Sequence, residues 1–407
     1  MTNKLGLFGV TVLVATMMAG CVPPAPPSAA PPTTAVVTPS TAAPTTAAPT
    51  TTVAVAGPHA PTISSFTAST TAAPSPLTTA LRWSISDPDG NPLTCRLDLD
   101  GNGTFDHTIT GCTSETSRTR TFATAGSRTV VLEVSDGTNA TTAALGLNVS
   151  SASSDQYAVT LRLGSGMTPA QTSAFTSAAA TWAGIVKTGQ PDRTVTIGTN
   201  FCADGTAAYS GTVDDLLIDA QVIAIDGPGG ILGQAGPCLV RASNGLPLYG
   251  IMQFDSADVA SLEASGQFAN TIVHEMGHIL GIGTVWSSPL LQGAGTSNPR
   301  FTGAAAVGTW RELGGAGDVP VENTGGAGTV DSHWRETTFR TELMTGYLNS
   351  SNQLSALTAA SLADLGYGVD LAGAAAYTLP ALWAGSMRAH GADEHDDIVR
   401  VLPSGTA

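Results

Sequence analysis

Charged residues make up only 12% of this 407-residue chain and aromatics only 5%. So low a charge is unusual for a cytosolic enzyme, yet with 42% of residues hydrophobic the chain can still bury a core. Basic groups are the scarcer charge: 16 Lys and Arg stand against 31 Asp and Glu, a formal net charge of −15. That balance argues against a nucleic-acid binder, which needs a basic footprint. No C-x-x-C pair occurs among the 5 Cys, which argues against a zinc centre built from thiolates. Past the first twenty or so residues, no run is long and apolar enough to cross a bilayer. The length itself exceeds one ordinary domain, so two folded domains with accessory segments are expected.

Residues 1–21 read as an export signal: Lys4 supplies a thin positive start, and an apolar stretch follows from Leu5 to Ala19. It ends in Met18-Ala19-Gly20-Cys21, which resembles a bacterial lipobox and makes Cys21 the candidate lipidation site. Met18 stands where a lipobox usually has leucine, so ordinary signal cleavage and secretion stay open. Either way the expected location is the cell envelope, lipid-anchored, or the outside. The other four cysteines pair economically as Cys95–Cys112 and Cys202–Cys238, two disulfides suited to an oxidising compartment. Residues 22–57 are largely Pro, Thr and Ala; they cannot bury a core and read as an extended tether.

From 58 to 150 short alternating runs such as Leu81–Ile85, Arg118–Phe122 and Thr129–Val134 are separated by turn signals, predicting an all-β sandwich. Inside it Asp98, Asp100, Asn102 and Asp106 take positions 1, 3, 5 and 9 of an EF-hand-like loop, with Gly103 at position 6. Alternating oxygen ligands around a glycine turn suit Ca²⁺, but Ile109 occupies position 12 where a bidentate Glu belongs, so an Asp/Asn/Gly turn is the competing reading. The stretch WSISDPDGNPLTCRLDLDGNGTFD with FATAGSRTVVLEVSDG resembles the PKD or Ig-like modules of bacterial exoproteins.

From 155 to 380 strands and helices mix without strict βαβ alternation, which predicts an α+β domain. Tyr157–Leu163 alternates like a strand; Thr168, Pro169 and Gln171 form a capping box that opens a helix with Phe175, Ala179, Trp182 and Val186 on one face. Strands are expected at Arg193–Gly198, Ala220–Ile225 and Leu248–Phe254, and a helix over Ser256–Leu280. A short helix over Ser355–Leu365 should stop at Gly366. Residues 381–407 read as a loosely packed tail.

The chemistry sits in His274-Glu275-Met276-Gly277-His278. Histidines at i and i+4 project from one helical face and can reach one metal, while the intervening glutamate can take a proton from water at that metal. Two buried, hydrogen-bonded histidines are the bland alternative. A peptidase zinc needs a third protein ligand and one open position. Gly281 is followed by Thr284 where a third histidine would complete the compact motif, so the candidates lie further on: His333, His390 and His395. The last two stand among Asp393, Glu394, Asp396 and Asp397, as in a solvated charge run.

HEMGHILGIGTVW, PVENTGGAGTVDSHW, ELMTGYL and LSALTAASLADLGYGVD, in that order, resemble the leishmanolysin-type metzincins, which insert a segment ahead of their third histidine. The resemblance implies a metzincin-like fold, with a twisted sheet and active-site helix above an irregular C-terminal subdomain. It further implies one catalytic Zn²⁺ on His274, His278 and His333, Glu275 as general base and acid, and Met344 as the Met-turn residue. Protein or peptide substrates would lie along the edge strand of the sheet, placed near Leu248–Asp255. With both disulfides formed, no free thiol remains for a propeptide switch of the leishmanolysin kind. The competing readings are a surface adhesin whose β-module does the work beside a degenerate domain, and a purely structural zinc.

Overall fold

The computed structural model describes residues 58–202, 205–229, 231–326, 328–349, 351–380 and 405–406. The export signal with Cys21, the tether 22–57 and the tail from 381 onward, save 405–406, lie outside the described residues.

Eight strands form the first part: β1 (Thr62–Ala68), β2 (Ala72–Pro74), β3 (Leu77–Ser86), β4 (Thr94–Asp98), β5 (His107–Thr110), β6 (Ser117–Phe122), β7 (Gly126–Ser135) and β8 (Ala140–Ser150). They make two sheets, β1-β3-β6 and β2-β8-β7-β4-β5. Period-two alternation does the sorting: Val130, Leu132 and Val134 of β7 turn inward and meet Leu81 and Trp83 of β3 in one core. The Cys95–Cys112 disulfide is formed inside that core, with Cα atoms 5.8 Å apart. Trp83 Nε1 donates to Cys112 O at 3.3 Å, so the tryptophan buries its ring and still satisfies its one donor.

The second part is mixed, with ten strands and six α-helices among the described residues. Its elements are β9 (Val159–Leu163), α1 (Pro169–Ala183), β10 (Arg193–Ile197), β11 (Tyr209–Val213), β12 (Leu216–Ile223), β13 (Gly233–Val240) and β14 (Pro247–Asp255). There follow α2 (Val259–Ala264), α3 (Phe268–Ile279), β15 (Leu291–Gln292), β16 (Arg300–Phe301), α4 (Ala304–Glu312), β17 (Val319–Pro320), α5 (Glu336–Phe339), α6 (Ala356–Leu365) and the two-residue β18 (Gly405–Thr406). The main sheet runs β18-β13-β14-β12-β9. Strands β9, β12 and β14 are mutually parallel, and β13 lies antiparallel outside β14. Every residue of β14 is buried, as a strand covered on both faces requires.

The expected capping box forms: Gln171 N–H donates to Thr168 Oγ1 at 3.2 Å and Gln171 Oε1 accepts from Thr168 N–H at 2.9 Å. Helices α1 and α3 then lie together on the sheet, with Phe175, Phe254 and Phe268 in edge-to-face contact at 5.4–6.0 Å between centroids. Each such buried ring stabilises the fold by about 1.5–3 kcal/mol. Gly250 lets α3 approach the sheet, since a Cβ there would meet Ile279 Cγ2 of that helix at 2.5 Å.

Two expectations need correction. The helix over 256–280 is two helices, because Gly266 adopts φ +73°, a left-handed conformation that ends α2. Leu248–Asp255 is not an edge strand: β14 is paired on both sides, and β13 lies outside it, itself met by β18 only at Leu239 and Val240 among the described residues.

Candidate metal centre

Helix α3 presents His274 and His278 one turn apart, and the chain brings His333 to meet them from 55 positions further on. Their Nε2 atoms form a triangle with sides of 3.0, 3.0 and 3.2 Å. Each ring's other nitrogen donates to a carbonyl: His274 Nδ1 to Leu343 O at 2.7 Å, His278 Nδ1 to Ile282 O at 2.8 Å, His333 Nδ1 to Thr329 O at 3.0 Å. With the proton fixed on Nδ1, three Nε2 lone pairs point at one another. That is repulsive unless a cation lies between them.

The fit to zinc can be tested on this spacing. Ligand atoms about 2.0–2.1 Å from a tetrahedral ion stand about 3.3 Å apart, close to the observed sides. Burial drives all three rings toward the neutral form that ligates: His274 falls to about 4, His333 to about 3, and His278 well below its ordinary value. Three protein ligands leave a fourth position open, on the side where a cavity of about 20 Å³ adjoins His274 and Glu275. That is room for a water molecule.

Glycines let the centre assemble. Gly277, between the two histidines, faces Met344: a Cβ there would meet Met344 Sδ at 2.9 Å and Trp182 at 3.0 Å. Met344 is fully buried against the helix at Gly277. Gly277→Val should therefore cost about 1–3 kcal/mol by overpacking. Denaturant unfolding of the metal-free protein checks this, and an unchanged midpoint would refute the close approach. After the helix, Gly281 (φ +112°) and Gly283 (φ +73°) reverse the chain, and a Cβ at Gly283 would overlap Ser332 O. The Gly-Ile-Gly turn is thus what admits the segment carrying His333. Thr284, at the vacant histidine place, instead donates its hydroxyl to His278 O at 2.6 Å.

Some contributing residues gave no signal in the sequence. Glu342 is fully buried; its carboxylate accepts from Met344 N–H at 2.6 Å and from the Ser355 hydroxyl at 2.7 Å. Burial pushes this carboxyl up, while those bonds and the Thr358 hydroxyl oppose the rise. Glu342 so fixes the turn whose Leu343 carbonyl orients His274. Asp255 is likewise buried: burial alone would raise it, but N–H groups from Ala257, Gly227, Asp226 and Ile225 hold it below the usual carboxylate range. It shapes the loop leading to Leu232 and Gly233, which line the cavity beside Glu275 together with Thr271, Thr345 and Tyr347.

The remaining candidates fall elsewhere. Asp98, Asp100 and Asp106 each offer an oxygen within 4.8 Å of the others. Asp98, however, accepts from the N–H groups of Asp100, Gly101 and Gly103, and Asp106 from Leu99, so the loop's own turns engage these carboxylates. Asn102 accepts from Thr104 N–H in the same manner. The Cys202–Cys238 disulfide is formed as expected, tying β13 to the loop before β11. His390 and His395 lie outside the described residues.

Comparison with known proteins bears on the same region. Residues 187–386 match the family model described as leishmanolysin. A leishmanolysin homolog of Crithidia fasciculata is 28% identical over 149 residues, covering 34% of this chain but only 22% of that protein. Two solved PKD domains share low likeness with the chain. That of the human VPS10 domain-containing receptor SorCS2 is 17% identical with a TM-score of 0.20, covering 24% of this chain and 77% of that one. The other, of an M14-like peptidase from a Thermoplasmatales archaeon, is 18% identical with a TM-score of 0.18 and covers 23% of this chain and 95% of that one. The region of this chain that holds the histidine triangle is thus similar to leishmanolysin-type metallopeptidases.

Proposed function

We propose that the chain is a zinc-dependent endopeptidase acting on exported or extracellular proteins. The observation that carries this is the triangle of three neutral, buried Nε2 atoms beside a glutamate at an open cavity. His274, His278 and His333 would hold the ion. When bound, zinc supplies Lewis-acid polarisation of a carbonyl and of water.

The protein's own groups do the rest. Glu275 follows His274 on α3 and borders the cavity, in place to accept the attacking water's proton and pass it to the leaving amine. Leu343, Ile282 and Thr329 carbonyls keep the three imidazoles in the ligating tautomer. Substrate would add as a strand along β13, whose first residue, Gly233, lines the cavity, rather than along β14. The domain limits 58–150 and 155–380, the PKD-like nature of the first, and anchorage through Cys21 belong to the same reading. Among the described residues no helix is long and apolar enough to cross a membrane. We assign no cation to the Asp98–Asp106 loop.

The test is metal analysis with casein cleavage. About one zinc per chain should be bound; a chelator should abolish cleavage and added zinc restore it. Cleavage that persists after complete metal removal would sink the proposal.

A further inference from the structure

The segment that carries His333 into the metal site has little regular structure of its own. Between His278 and His333 the described elements are one nine-residue helix, α4, and three two-residue strands. A helix that short is not stable alone, and closing so long a loop costs entropy, so its order must come from packing. On one flank α4 meets strand β6 of the N-terminal sandwich. Thr119 donates its hydroxyl to Ala305 O at 2.6 Å and its N–H to Glu312 Oε1 at 2.8 Å. Arg120 pairs with the same carboxylate at 2.8 Å, and the Arg311 guanidinium donates to the Thr116 hydroxyl. A Cβ on Gly308 would overlap Thr119 Oγ1, so helix and strand touch at a distance only glycine permits.

The opposite flank of α4 leads to the site. Trp310 packs on Phe339 at 5.2 Å between centroids, and Phe339 on Trp334 at 6.3 Å, the residue after His333. Trp334 is fully buried and donates to the Thr358 hydroxyl at 2.8 Å. Asp364 of α6 accepts from Ala305 and Ala306 N–H groups, fixing the start of α4. The link between the two parts is short, only residues 151–158 separating β8 from β9, and both parts fall within one compact unit.

We propose that the N-terminal sandwich is a brace for the metal centre: β6 clamps α4, and α4 backs the aromatic residues that hold His333 in the ligand triangle. Its role is then to position a ligand, in contrast to a tethered module that binds substrate by itself. The inference rests on His333 being a ligand, which wild-type zinc content tests independently.

The experiment uses the full chain with two separate substitutions, Gly308→Val as a wedge and Glu312→Arg as a charge reversal against Arg118 and Arg120. Zinc affinity is read by chelator competition, and amide exchange is followed over residues 329–334. A tenfold or greater loss of zinc affinity, the scale of lost ligand support, is expected in both variants, with faster exchange at 329–334 and unchanged protection in β14. The control Arg96→Glu, on the Arg96–Glu133 pair in the other sheet of the sandwich, should leave zinc affinity as it is. Should either variant fail to fold, Glu312→Gln keeps an acceptor and gives a smaller shift in the same direction. Zinc affinity within twofold of wild type in the folded interface variants, even with a lowered melting temperature, overturns the brace.

Discussion

Glu275→Ala should abolish casein cleavage while leaving about one zinc bound per chain. The residue is 3% exposed and lies on the helical turn between two ligands, yet none of the three Nε2 atoms depends on it. The orienting bonds of the histidines run to Leu343, Ile282 and Thr329, so their geometry survives the change. Alanine also suits the helix interior. What disappears is the group that moves the proton, and general base and acid catalysis contribute about 10²–10⁴-fold. A drop of that size in kcat at constant metal content assigns the proton transfer to Glu275. A mutant that cleaves as fast as wild type would remove it from the mechanism and leave the histidines as a metal site of another purpose.

The centre was legible in the sequence to the extent that its parts were local. His274, Glu275 and His278 share one helical face, so spacing alone places them together. Their meeting with His333 is a tertiary event across a long insertion, and no periodicity could announce it; only the order of motifs resembling a family did. Glu342 shows the same limit, since its importance comes from the Met344 N–H and the Ser355 and Thr358 hydroxyls gathering around it. Among the strands, β14 reads plainly from Leu248–Phe254. The sequence of β13, with Gly233, Gly236 and Pro237, has low strand propensity, and its place follows from pairing with β14. Missing β13 is what made β14 look like an edge. The break at Gly266 went unread for a different reason, because a glycine inside an apolar pattern is compatible with a continuous helix until its φ is known.

His333→Ala separates ligand from base. It should weaken zinc binding by about 10²–10³-fold, because site energies of about 10–16 kcal/mol shared over four ligands amount to about 2.5–4 kcal/mol each. Cleavage should fall with occupancy and return in part as zinc is raised, which the Glu275 variant cannot do. The fold should tolerate the change, since Ser332 and Thr329 form the turn without the imidazole, the Ser332 hydroxyl donating to Thr329 O at 3.2 Å. Removing one of three converging lone pairs also relieves repulsion in the metal-free protein, offsetting part of the cavity left behind. Metal-free stability is therefore expected to change much less than zinc affinity. Competition against a chelator of known affinity, paired with unfolding of both metal-free proteins, measures the two quantities on the same samples. Zinc affinity held within twofold of wild type would show that another group, His390 or His395 among them, supplies the third ligand.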